Sequence, residues 1–83
     1  MDKAIIRWGV LWHSKNRLDG VRENLVFRNL NPALFVTRRE ARAWIDEIYG
    51  YIRTRPDLRR EPHGWRMPRP VRIRVTIARM QRR

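Results

Sequence analysis

Apolar and polar positions alternate near both ends of the chain and follow a helical period in the middle. Over Ala4–Trp12 (AIIRWGVLW), Ile6, Trp8, Val10 and Trp12 fall on one side at period two, with Ile5, Arg7, Gly9 and Leu11 on the other. That alternation predicts a strand. The first set is bulkier and uncharged and is expected in the core. Gly9 then leaves room on the opposite side for a close approach by another backbone or a ligand. His13–Gly20 is polar and ends in Asp19-Gly20, a pair suited to the positive φ of a turn. Val21–Arg28 follows as a second strand, with Leu25 and Phe27 alternating against Val26. Pro32 ends it, because it cannot donate to a ladder.

Thr37-Arg38-Arg39-Glu40 has the spacing of a capping box. Behind it, Ala41, Trp44, Ile45, Ile48, Tyr49 and Ile52 recur at the spacing of one apolar helical stripe. The predicted helix ends at Gly50 or runs to about Arg53, ahead of Pro56. Its outer face carries Arg39, Arg42, Asp46 and Glu47, with Arg42 and Asp46 placed as an i, i+4 pair. Residues 54–70 are rich in proline and are expected to form an irregular arm anchored by Leu58, Trp65 and Met67. Val71–Ile77 (VRIRVTI) alternates without interruption and predicts the last strand, followed by a basic tail, residues 79–83.

The order β-β-α-arm-β predicts an α+β fold in a single domain, residues 1–83. A small three-stranded, largely antiparallel sheet would carry one helix on one face. The helix stripe is expected over Trp8, Val10, Leu25 or Phe27, Ile73 and Val75. Arg7, Gly9, Leu11, Arg72 and Arg74 would then lie on an open face.

Charge changes this picture more than size does. The chain has 83 residues and a net charge of +12, with 18 Arg and 2 Lys. Residues 1–50 hold 9 basic and 6 acidic side chains, and residues 51–83 hold 11 and 2. The excess is therefore C-terminal. A GC-rich gene would enrich Arg over Lys without selecting for binding, but it does not explain the missing acids. Arg72 and Arg74 fall on one strand face about 7 Å apart, close enough to grip successive phosphates. Arg79, Arg82 and Arg83 would extend the track, Arg66 and Arg69 would flank it, and Arg7 would share the face. Trp8, Trp12 and Trp44 lie on core stripes, whereas Trp65 lies among glycine, arginine and prolines and could stack on a base or fill a partner's pocket.

Catalytic chemistry is poorly supplied. The histidines, His13 and His63, are fifty residues apart, Ser14 is the lone serine, and there is no cysteine. Neither a short metal-ligand spacing nor a glycine-rich phosphate loop is present. No metal, no cofactor and no enzymatic activity are expected. Nothing in the chain resembles a membrane span or a secretory signal, so the expected location is the cytoplasm.

Phe35-Val36-Thr37-Arg38-Arg39-Glu40-Ala41-Arg42-Ala43-Trp44-Ile45, preceded by Asp19-Gly20, resembles the arm-binding N-terminal domain of phage-type tyrosine integrases, the AP2-like family. The resemblance covers roughly residues 6–46. It implies a small sheet with one helix, whose sheet face lies in a DNA groove. As a whole the chain also looks like small stand-alone phage and prophage proteins, including host-directed inhibitors of the anti-CRISPR kind. Two functions are therefore expected to compete. One is a nucleic-acid-binding or nucleoprotein-binding module gripping through its Arg-rich face. The other is a phage-encoded inhibitor docking on a host protein target. The final strand could also pair with a second copy if it forms a sheet edge.

Overall fold

A computed structural model of the chain describes residues 3–77. β1 (Lys3–Asn16) is the middle of a three-stranded sheet, flanked by β2 (Gly20–Leu25) and β5 (Trp65–Ile77), both antiparallel to it. Gly20 takes φ +71° in the β1–β2 turn, where a side chain would be strained. Past β2, the Val26 N–H donates to the Val10 carbonyl at 2.9 Å. The chain then leaves the sheet as a small hairpin, β3 (Phe27–Arg28) and β4 (Asn31–Pro32), turning through Asn29 and Leu30 at positive φ. It returns at Phe35, which exchanges two 2.8 Å backbone bonds with Trp8.

α1 (Arg38–Tyr49) starts where the capping box puts it. The Thr37 hydroxyl accepts from the Glu40 N–H at 3.1 Å, satisfying a donor that the helix cannot use internally. A 3-10 turn (Gly50–Thr54) and a short α2 (Pro56–Arg59) follow. The fully enclosed apolar core is small: Val10, Ala33, Ala41, Ile45, Ile52 and Leu58. It gathers where α1 and the 3-10 turn meet the middle of β1 and the start of β5. The α+β architecture expected from the pattern is present, with the extra β3–β4 hairpin.

The register changes the expected faces. Arg72 lies opposite Trp8, Arg74 opposite Ile6 and Pro70 opposite Val10. Directly opposed residues share a face, so Arg72 and Arg74 are on the side of the sheet that carries α1. Val71, Ile73 and Val75 pair with Gly9, Arg7 and Ile5 and lie on the other side. Leu25 joins them there, because a Cβ built on Gly9 would meet both Ile73 and Leu25 side chains. The face away from α1 is therefore mostly apolar, with Arg7 set into it, rather than an arginine face. Arg72 and Arg74 stay exposed for a different reason. A helix of this length spans about 18 Å and a strand the length of β1 about 46 Å, so α1 covers one end of the sheet and the other projects. The same shortfall leaves Ile6 exposed; Phe27 and Ile48 are exposed as well, although the pattern placed all three on or near the core.

The last strand also begins earlier than the pattern indicates, at Trp65, so the irregular stretch shrinks to the turns before it. Its prolines are tolerated because β5 is an edge strand. The Val10 carbonyl bonds to Val26 on its other side, so Pro70 opposes Val10 without a ladder bond, and its ring nitrogen faces the free edge. Between Leu11↔Arg69 and His13↔Arg66 the ladder gains one residue on β5, so Met67 and Pro68 together oppose Trp12. This bulge inverts the alternation. Beyond it Trp65 pairs with Ser14 on the α1 side, where unbroken alternation from Val71 would have put it on the opposite face.

Candidate nucleic-acid interface

The side of the sheet that carries α1 presents four arginines from two elements, two on α1 and two on the projecting part of β5. Arg72 and Arg74 alternate on β5 with both side chains exposed. The Arg38 guanidinium, in the first turn of α1, sits 5.9 Å from the centre of the Trp8 ring, and Trp8 faces Arg72 across the ladder. One helical turn on, Arg42 lines a cleft of about 270 Å³ with Met67, Pro68 and Pro70. The carboxylate in that cleft, Asp46, is held by Arg53 at 2.7 Å, so the expected Arg42–Asp46 pair does not form. Among the described residues, none of the ion pairs involves Arg38, Arg42, Arg72 or Arg74. A cation with no internal carboxylate keeps its full attraction for an external anion.

Of the other residues expected at the site, Arg69 reaches this cleft, while Arg7 and Arg66 lie elsewhere. Arg7 is half-buried on the apolar face, and its Nη1 donates to the Ile6 carbonyl at 2.9 Å. Arg69 borders the same cleft as Arg42 and stands 4.0 Å from Glu23, whose carboxylate also holds the His13 ring at 3.1 Å. Arg66 donates to the Arg59 carbonyl at 3.1 Å and borders a broad hollow with Lys15, Arg59, Arg60 and His63. Both acids of that hollow are engaged. Glu61 accepts from the Arg17 N–H, and Asp57 binds Arg55 through two bonds of 2.7 and 3.0 Å. The hydrogen bonds from Arg55 hold the Asp57 carboxyl below the usual range. Arg79 lies outside the described residues. The expected single face is thus divided: Arg72 and Arg74 alternate on one strand face, Arg69 borders the Arg42 cleft, and Arg7 and Arg66 lie apart from both.

Trp65 is half-buried and belongs to an aromatic run that periodicity alone hides. Phe35, Trp44, Tyr49, Trp12, Trp65 and His63 follow one another with successive ring-centre separations of 5.6, 6.0, 5.8, 5.4 and 5.2 Å. At the Phe35 end, the Arg28 guanidinium stands 5.3 Å from the Phe35 ring and 5.8 Å from the Trp44 ring. Burial, and then the neighbouring Tyr51, push the Tyr49 phenol above its ordinary pKa. Every ring of the run except His63 is half-buried, so the tryptophans expected as core are only partly covered. The available signal was the density of aromatics on both the β1 and α1 stripes, which exceeds what so small a core can enclose.

Among the described residues, no cluster of three or more His, Asp or Glu side chains could hold a metal, and no helix is long and apolar enough to cross a membrane. No protein family, curated protein or solved structure matches the chain.

Proposed function

We propose that this protein binds nucleic acid without catalysing a reaction, holding the phosphate backbone with Arg38, Arg42, Arg72 and Arg74. The observation that carries the reading is that these four arginines lie on the side of the sheet that carries α1, with no carboxylate partner among the described residues. Arg72 and Arg74 stand about 7 Å apart along a strand, which lets each meet a different phosphate. Arg38 is steadied by the Trp8 ring, so its charge is presented in one place at low entropic cost. Phosphate contact of this kind is independent of sequence.

The test is a fluorescence-anisotropy titration with labelled oligonucleotides over a range of salt. Affinity should fall steeply as salt rises. The double variant Arg72→Glu, Arg74→Glu should bind at least about tenfold more weakly and lower the salt slope by about two, with circular dichroism unchanged. Absence of binding at low salt, or affinity insensitive to salt, overturns the reading. So does tight stoichiometric capture of one host protein by a chain with no affinity for bare nucleic acid, the outcome expected of an inhibitor.

A further inference from the structure

A second recess lies at the C-terminal end of α1, on the side toward β2. It has a volume of about 480 Å³, and Trp12, Tyr49, Tyr51, Trp65 and Phe27 line it together with Asn24. Tyr51 and Phe27 border it with 47% and 60% of their surfaces exposed. Large rings left this open in so small a protein are not filling a core. They offer flat apolar faces to something that enters.

Charge selects what enters. A ring-lined recess can hold an organic cation, but such sites are helped by a carboxylate, and none lines this one. Cations stand nearby instead. Arg22 lies opposite Ser14, which in turn faces Trp65, so Arg22 and Trp65 end the same row across the sheet. Asp19 is 3.7 Å away from the Arg22 guanidinium, and both side chains are well exposed. Arg28 stacks on Phe35 and Trp44 at the far end of the aromatic run. Flat apolar rings between guanidinium groups suit a flat, apolar-faced group carried on an anionic chain. Asn24, opposite Trp12, adds an amide with a donor and an acceptor for the edge of such a group.

We infer that this recess takes unpaired nucleobases, so that the ligand of the proposed function is single-stranded nucleic acid, DNA or RNA; the inference rests on that function. Bases in a duplex are stacked on each other and cannot reach the rings, whereas those of a single strand can be splayed onto them.

The experiment uses the full chain with short oligothymidylate, oligouridylate and a duplex of the same length. Single strands should bind more tightly than duplex and quench tryptophan fluorescence, because Trp12 and Trp65 line the recess. Tyr51→Ala and Phe27→Ala alter exposed rings and should leave the melting temperature nearly unchanged. Each should weaken single-strand binding about tenfold and leave duplex binding as it was. The thymidylate and uridylate arms separate DNA from RNA as the preferred source. Equal affinity for single strand and duplex, with both variants behaving as wild type, overturns this inference while the arginine edge stands. If no oligonucleotide binds at low salt, the proposed function falls and the inference with it.

Discussion

The two ends of the β1–β5 ladder are built from the same strands with the same alternation, yet they are different materials. At the covered end, Val10, the Met67-Pro68 bulge and the start of β5 lie against α1 and the 3-10 turn, and Val10 has no exposed surface. At the projecting end, Ile6, Arg72 and Arg74 stand on the same side of the sheet but beyond the reach of the helix, and Ile6 is 45% exposed. Burial here is decided by which element lies overhead, not by the strand pattern. The covered end should therefore carry the stability, and the projecting end is free to carry charge.

Gly64 offers the most severe way to break the covered end. It precedes β5 at φ +63°, and a Cβ there would collide with the Lys15 carbonyl, which is part of the β1 backbone and cannot turn aside. The Lys15 N–H in turn donates to the Gly64 carbonyl at 2.9 Å, so the two segments cannot separate without losing a backbone hydrogen bond. Gly64→Ala should cost at least about 3 kcal/mol, read as a drop in melting temperature of more than about 12 °C for a domain of this size. A loss below about 1 kcal/mol would mean that the β1–β5 junction has slack that the geometry denies.

Gly9 tests the other glycine of the ladder under milder conditions. A Cβ there would come 2.8 Å from Cγ1 of Ile73 and 3.5 Å from Cδ2 of Leu25. Both are side chains on the uncovered apolar face, so Ile73 rather than backbone has to shift, at the cost of leaving its present rotamer. The crowding is offset in part by the entropy that alanine spares the unfolded chain. Gly9→Ala is expected to destabilise by about 1–2 kcal/mol in a denaturant melt, less than Gly64→Ala. A loss comparable to that of Gly64→Ala would show that Ile73 is pinned by a layer resting on that face.

Much of the fold could be read from local chemistry. Thr37 and Glu40 mark the start of α1, Asp19-Gly20 marks a turn, and the alternation of Val71–Ile77 marks a strand. What could not be read is the choice between two faces. Alternation states that Arg72 and Arg74 share a side, but both sides of β5 contain groups that tolerate water, and only the pairing of Arg72 with Trp8 fixes which one carries the helix. Trp65 was opaque for a related reason. One additional residue at Met67-Pro68 reverses the phase, and proline there reads locally as irregular chain, although an edge strand can accommodate it. The arginine edge was half visible: Arg72 and Arg74 follow from the strand, while Arg38 reads only as part of the capping-box stretch and Arg42 as the solvated face of a helix until α1 is laid beside β5.

The contrast between the two ends becomes quantitative with the same small truncation on one face of one strand. Val10→Ala removes two methyl groups from a fully enclosed site in a small core that also buries Ile45 and Ile52. It should cost about 2 kcal/mol. Ile6→Ala removes more carbon, yet almost half of Ile6 already faces water, so much of the transfer energy was never gained and no closed cavity forms. Its cost should be about 0.5 kcal/mol, near the limit of a chemical-denaturation measurement. The ranking, a smaller truncation costing more, cannot arise from side-chain size or strand propensity, since isoleucine and valine are both favoured in strands. It follows only if α1 ends short of Ile6. Equal losses at the two positions would instead place a covering layer over the projecting end, and Arg72 and Arg74 would then lose the open water through which a polyanion has to approach.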